Sequence, residues 1–334
     1  MTVLVATHPA FLDHHGGEGH PERASRMQAV AKGIETSQLG EAIVLFDAPR
    51  ATYEELTRVH GLGYVEALDR FCRAGGGDLD PDTPVVPASF EAATRAAGAG
   101  LGAIERLRRG EAEAAFCAVR PPGHHATPNR GMGFCLFNSV AVAAATLAEA
   151  GERVLIVDYD AHHGNGTQEA FYEDPRVLFV SLHQYPLYPG TGSLQEQGRG
   201  AGLGSTVNFP LPAGATGDVY RRALDEVIVP LAERWQPTWV LLSAGFDGHR
   251  DDPLAELALT AGDYADLTRE VMALGPPGHR LAFLEGGYDL AAVVRSTAAC
   301  LGALAGADIR PEKASSGGPG HEVVDAVARL HLPR

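Results

Sequence analysis

The sequence predicts a single α/β domain built on a mainly parallel β-sheet sandwiched by α-helices. Three observations lead there. Short runs of Val, Ile, Leu and Phe alternate along the chain with longer alanine-rich helical patterns, as in successive βα units. The short runs are continuously apolar, as expected of strands buried on both faces. Several of them end abruptly in Asp, His, Glu or Ser, and in an open parallel sheet ligands bind just outside such strand ends.

Residues 3–6 form the first strand and lead into a polar loop with His8, His14, His15 and His20. With no strand or helix to fix them, these histidines are expected to be solvated. Arg23 follows Pro21 near a helix start and suits either a structural or an anion-binding role. Residues 42–46 are the second strand. Residues 75–87 combine glycines and prolines with Asp78, Asp80 and Asp82, the composition of a loop; it is either a lip over a site or a solvated connector. Residues 91–108 read as an Ala/Gly-rich helix packed closely on the sheet, and 114–119 as a strand. Arg120-Pro-Pro-Gly-His124-His125 follows, its prolines stiffening the backbone ahead of two histidines. An alanine-rich helix runs to residue 150. Strands follow at 154–158, 177–183, 239–244 and 280–284, with helices over 217–234 and 290–304. The glycine-rich stretch 198–204 lacks a helix start after it and is read as a surface loop, not a phosphate cradle. Residues 310–320 are expected to be a flexible tether to a short last helix. No repeat or boundary divides the chain, so 1–334 is taken as one catalytic domain.

Composition narrows the function. The chain has 334 residues, 45% hydrophobic and 21% charged, with a formal net charge of −15. That balance argues against nucleic-acid binding, which needs a basic face, and would suit a cationic substrate. No apolar run approaches the ~18 residues of a membrane span, and the N-terminus lacks a secretory pattern. Cys72, Cys117, Cys135 and Cys300 form no C-x-x-C pair, so neither a disulfide framework nor a structural zinc site is expected. The expectation is a cytoplasmic protein; a homo-oligomer is left open.

The chemistry concentrates in residues 154–168, an apolar run ending in Asp158, Asp160, His162 and His163. In extended chain Asp158, Asp160 and His162 project to one side, and a carboxylate and an imidazole so placed can hold a divalent metal, zinc above all. The alternative is that they merely cap the next helix. Other strand ends add Asp247 as a third metal-ligand type, His124 and His125 as acid/base types and Tyr288 as a phenol donor. Three protein ligands and an open position is the pattern of catalytic zinc. With an imidazole base and a phenol facing the developing oxyanion, it suggests hydrolysis of an amide or ester carbonyl. Each tandem histidine needs a partner on its other nitrogen; Asp158 and Asn165 are the candidates. The Asn-linked ring should be the one more often neutral at pH 7.

Arg120-Pro-Pro-Gly-His-His125, Gly133-Phe-Cys135, Asp158-Tyr-Asp-Ala-His-His-Gly-Asn-Gly166, Pro189-Gly-Thr-Gly192, Ser243-Ala-Gly-Phe-Asp247 and Glu285-Gly-Gly-Tyr288 together resemble the histone deacetylase superfamily, in its order and over most of the chain. The bacterial histone deacetylase-like amidohydrolases and acetylpolyamine amidohydrolases are included. The resemblance implies an arginase/deacetylase-like fold, zinc on Asp160, His162 and Asp247, and His125 as general base beside His124. It pairs Asp158 with His124 and Asn165 with His125, and has Tyr288 polarise the carbonyl. Asn165 and Glu285 bring the chain nearer the class II and bacterial branches. Gly133, Phe134, Tyr188 and Leu254 would line an acyl-lysine tunnel. Structural potassium would sit at Asp158, with Ser181 and the carbonyls of Asp160, His162 and Leu182. A second potassium would take carbonyls of Phe171, Asp174 and Val177. Arg23 would lie near an acetate exit, and one of Asp78, Asp80 and Asp82 would grip the substrate backbone. The implied substrates are acetylated lysine in proteins or peptides, or acetylated polyamines. A non-catalytic acetyl-ligand binder is disfavoured because Asp160, His162, Asp247 and Tyr288 are all present. A two-metal arginase-like site is disfavoured because Gly164 and His249 stand where it would need carboxylates.

Overall fold

The computed structural model describes residues 1–332. Its strands are β1 (Val3–Thr7), β2 (Ile43–Asp47), β3 (Gly77–Asp78), β4 (Pro84–Val85), β5 (Ala114–Cys117), β6 (Val154–Asp158), β7 (Val177–Gln184), β8 (Thr206–Leu211), β9 (Trp239–Ala244) and β10 (Arg280–Leu284). Eight form one sheet in the order β2-β1-β5-β10-β9-β6-β7-β8, every neighbouring pair parallel. This is the mainly parallel α/β sheet expected. Every residue of β5, β6, β7 and β9 is buried, which is why these runs are dominated by apolar residues.

Helix Leu290–Ala305 packs against both Ser25–Thr36 and Ala261–Ala273, and Ser89–Arg108 packs against Ser139–Glu149. Small residues let Ser89–Arg108 come close. A Cβ on Gly98 would run into the Pro49 carbonyl, and one on Gly100 would meet the Phe283 ring at 2.6 Å.

Strand β8 and helix Ala261–Ala273 are not among the elements read from the sequence, and two of the elements that are take another form. The loop at 75–87 contains the antiparallel β3–β4 ribbon, whose two-residue strands are too short to leave a periodic signal. The helix expected over 217–234 is divided into Gly217–Ala223, a π-helical stretch Leu224–Ile228 and Val229–Trp235. Pro230 has no N–H to donate and its ring crowds the preceding turn, so the backbone widens there.

Residues 306–320 carry no regular element. Glu312 there accepts from His249 Nε2 and Arg250, each at 2.8 Å, and Ser315 donates to Asp263 at 2.7 Å. All four cysteines are buried and free. Among the described residues no helix is long and apolar enough to cross a membrane.

Gly98→Ala tests the close packing. Helix propensity alone would favour Ala by about 1 kcal/mol, but overpacking against fixed backbone costs about 1–3 kcal/mol. The expected result is a lower urea midpoint with an unchanged slope; a raised midpoint would contradict the packing.

Candidate active site

The sheet order sets β5, β10, β9 and β6 side by side. Their C-terminal ends deliver His124 and His125, Tyr288, Asp247, and Asp158 to His162, so residues far apart in sequence meet along one edge.

Asp160, His162 and Asp247 offer ligand atoms within 4.8 Å of one another, all from buried residues. His162 Nδ1 lies 3.2 Å from Asp160 Oδ1 and 2.9 Å from Asp247 Oδ2. The remaining carboxylate oxygens are anchored by backbone. Asp160 Oδ2 accepts from Gly286 N–H and Asp247 Oδ1 from Ala161 N–H, each at 2.8 Å. A Cβ on Gly245 or Gly286 would collide with these carboxylates. Burial, then the Asp160 charge, raises Asp247 above the usual carboxylate range. Burial opposes protonation of His162, yet Asp247 and Asp160 push it up to about 10. Two adjacent buried carboxylates and an imidazole could hold a metal ion at this point, and one nitrogen with two oxygens is a donor set that fits zinc.

Asp158 does not join this group. The strand ends at Asp158 and the chain bends, turning Asp158 Oδ2 to His124 Nδ1 at 2.9 Å. His125 Nδ1 lies 2.7 Å from Asn165 Oδ1, and the tandem rings are 4.0 Å apart. Burial alone would depress His124, but Asp160 and Asp158 outweigh it and hold it well above the ordinary value. Burial and the charges of His124 and His162 hold His125 well below it. Glu285 Oε2 accepts from the Gly123 and His124 N–H groups at 2.7 and 3.1 Å, fixing the loop beneath the pair.

A cavity of about 220 Å³ opens onto these groups, lined by His125, His162 and Tyr288, by Gly133, Phe134, Tyr188 and Leu254, and by Asp82. Of the three loop aspartates, Asp82 is the one on its wall. Burial raises the Tyr288 phenol well above its ordinary value, against the Arg26 charge, so it is a proton donor at neutral pH. The Tyr188 ring stands edge-on to His125 at 5.1 Å and Phe134 edge-on to Tyr288 at 5.8 Å. Phe134 has φ of 67°, held by its N–H on Thr83 Oγ1 at 3.0 Å. A larger cleft of about 880 Å³ lies beyond Asn165, where Arg176–Asp174 and Arg199–Glu173 already pair. It holds none of His125, His162 or Tyr288, so the chemistry belongs to the smaller cavity.

Ser181 sits opposite Asp158 in the β6–β7 register, and its hydroxyl lies 2.9 Å from His183 Nδ1. The Leu182 carbonyl faces the Tyr220 hydroxyl at 3.5 Å. The carbonyls of Phe171 and Asp174 accept from Asp174 and Val177 N–H.

Sequence reading misplaced two groups. Arg23 is exposed; Arg26, one helical turn on, is fully buried. It donates to the carbonyls of Gly287 at 2.6 Å and Glu285 at 2.5 Å, and its guanidinium lies 5.1 Å from the Tyr288 ring centre. His14, expected in solvent, is buried against Ser89 and Glu22. Glu22 also pairs with Arg26 and Arg120. Glu at i and Arg at i+4 across a helix start was the available signal for Arg26.

A family model described as the histone deacetylase domain matches residues 20–304. A probable deacetylase of Archaeoglobus fulgidus is 41% identical over 319 residues, covering 92% of this chain and 88% of the relative. A histone deacetylase-like amidohydrolase of Pseudomonas aeruginosa is 37% identical over 281 residues, covering 82% and 74%. Among solved structures, the crystal structure of the HDA15 HD domain superposes with a TM-score of 0.91 at 36% identity, covering 99% of this chain and 94% of that one.

Gly133→Ala tests the cavity wall. Gly133 has φ of +56°, and a Cβ there would lie 2.5 Å from the His125 ring and 2.9 Å from Tyr188. The left-handed backbone alone costs roughly 1–2 kcal/mol for Ala. Displacement of His125 should lower turnover on the order of tenfold or more. Turnover within twofold of the parent would mean that this cavity is not where substrate reacts.

Proposed function

The chain belongs to the histone deacetylase family, and from that premise we propose that it is a zinc-dependent deacetylase releasing acetate from N-acetylated amines. The observation that carries this reading is the meeting, on one narrow cavity, of the His125 imidazole, the Tyr288 phenol and His162, the member of the buried Asp160–His162–Asp247 group that reaches its wall. Asp160, His162 and Asp247 would hold zinc, which would act there as the Lewis acid of the reaction.

The remaining roles fall to the chain's own groups. His125, kept neutral by burial and by its charged neighbours, accepts at Nε2 the proton of the attacking water. Asn165 holds its Nδ1 and so fixes the ring. His124, its Nδ1 paired with Asp158 Oδ2, stands beside it as the second imidazole. The Tyr288 hydroxyl donates to the carbonyl oxygen as negative charge develops there. The proton held by His125 then passes to the departing amine. Phe134 and Tyr188 exclude water along the acyl chain, with Gly133 and Leu254 completing the wall and Asp82 at its polar end. Potassium is proposed at Asp158, Ser181 and Leu182, and the chain is proposed to work as one domain. Acetyl-lysine in proteins or peptides is the proposed substrate class; acetylpolyamines are the rival, and both suit an acidic protein.

Tyr288→Phe should keep its metal yet lose on the order of a hundredfold or more in turnover, since one oxyanion donor typically contributes that much. Near-normal turnover would remove Tyr288 from the mechanism. In parallel assays of acetyl-lysine peptides and acetylated polyamines, chelator-sensitive acetate release is expected, with the peptides turned over faster. Faster polyamine turnover would reverse the substrate assignment, and release from neither would overturn the reading.

A further inference from the structure

The loop after β9 carries Asp247, and the loop after β10 carries Tyr288. Because β9 and β10 are adjacent parallel strands, the two loops abut: Phe246 N–H donates to the Gly286 carbonyl at 3.0 Å. Asp252, 7% exposed, reaches from the first loop to the second. Its Oδ2 accepts from the Tyr288 N–H at 2.7 Å and the Asp289 N–H at 3.3 Å. Its Oδ1 accepts from the Leu254 N–H at 3.0 Å. Both oxygens are therefore acceptors. One buried side chain ties the backbone of the phenol to the backbone of a cavity-wall residue.

A plainer role would be to start helix Leu290–Ala305. That helix has its own cap: Asp289 Oδ1 accepts from Ala292 N–H at 2.7 Å. The neighbouring Asp251 is half-exposed and paired with Arg295 at the surface. Asp252 differs from both in that all its donors belong to the two loops over the site.

We propose that Asp252 is a positioning residue for Tyr288, fixing the backbone from which the phenol projects and the register of Leu254 beside it. This rests on the reading of Tyr288 as the oxyanion donor. Asparagine can present only one oxygen. In Asp252→Asn an NH₂ group would face either the Leu254 or the Tyr288 N–H, losing that bond and setting donor against donor. A small displacement of a group aligned on the reacting carbonyl is expensive in rate.

The test compares Asp252→Asn, Asp252→Glu, Tyr288→Phe and the Asp252→Asn/Tyr288→Phe double variant, all as metal-loaded full-length protein, on an acetyl-lysine peptide. Burial, then the Asp247 charge, pushes the Asp252 carboxyl up to about 7, so assays are run well above that pH. Asp252→Asn should lower kcat roughly tenfold or more with KM within about threefold, as expected when a transition-state contact is disturbed. Metal content should be unchanged, and amide exchange across residues 286–290 should quicken. In the Tyr288→Phe background the same substitution should cost less than about twofold, because groups acting as one unit are not additive. Asp252→Glu, which keeps both acceptors, should recover part of the loss. Should Asp252→Asn fail to fold, Asp252→Glu takes its place: it must lower kcat alone and add nothing to Tyr288→Phe. Wild-type kcat in Asp252→Asn, or losses that multiply with that of Tyr288→Phe, would overturn the proposal while leaving Tyr288 in place. Full activity in Tyr288→Phe would overturn the reading of the phenol, and this proposal with it.

Discussion

Two carboxylates, Asp160 and Asp247, stand side by side in the interior with one imidazole nitrogen between them. Few arrangements cost a protein more, because buried like charges raise each other's energy and water is absent to screen them. The rest of the site follows from making that arrangement tolerable. Backbone N–H groups of Gly286 and Ala161 each take an oxygen. Gly245 and Gly286 leave room where any side chain would collide. What these neutral donors cannot supply is net positive charge, which a divalent ion held by Asp160, His162 and Asp247 would supply.

Around this centre the chain repeats one device: a buried charged side chain gripping the backbone of a catalytic loop. Glu285 holds the Gly123 and His124 N–H groups, and Arg26 holds the carbonyls of Glu285 and Gly287. Asp252 holds the Tyr288 and Asp289 N–H groups, and Glu22 pairs with both Arg26 and Arg120 below. Arg120 in turn reaches the Phe11 and His14 carbonyls, binding the N-terminal loop to the same platform. Each charge is paired or multiply hydrogen-bonded, the condition under which burial of ions is sustainable. Active-site loops that carry no regular structure thereby acquire the rigidity of the sheet they leave.

Local signals made part of this legible in the sequence. The β5, β6, β9 and β10 runs are continuous and largely apolar, so their polar ends stood out: Asp160, His162, Asp247 and Tyr288 lie within a few residues of such an end, and His124 and His125 at the end of the Pro-Pro-Gly stretch that follows β5. Their convergence required only that the strands be parallel and adjacent. The supporting grip was not legible. Arg26 bonds to Gly287, 261 positions away, and Asp252 to Tyr288 across a loop whose path no periodicity encodes. Arg23 and Arg26 look alike as letters, but Arg23 precedes helix Ser25–Thr36 and is exposed, whereas Arg26 stands in its first turn and is buried. His14 likewise owes its burial to Ser89 and Glu22, not to anything in its own loop.

The central claim is that one divalent ion is held by Asp160, His162 and Asp247. Zinc-edge anomalous diffraction from crystals of the zinc-loaded protein, with metal analysis of Asp247→Ala in parallel, tests it most directly. A single peak within bonding distance of all three side chains, and loss of tight zinc in the variant, is the predicted result. A peak placed elsewhere, or full zinc retention in Asp247→Ala, would contradict it.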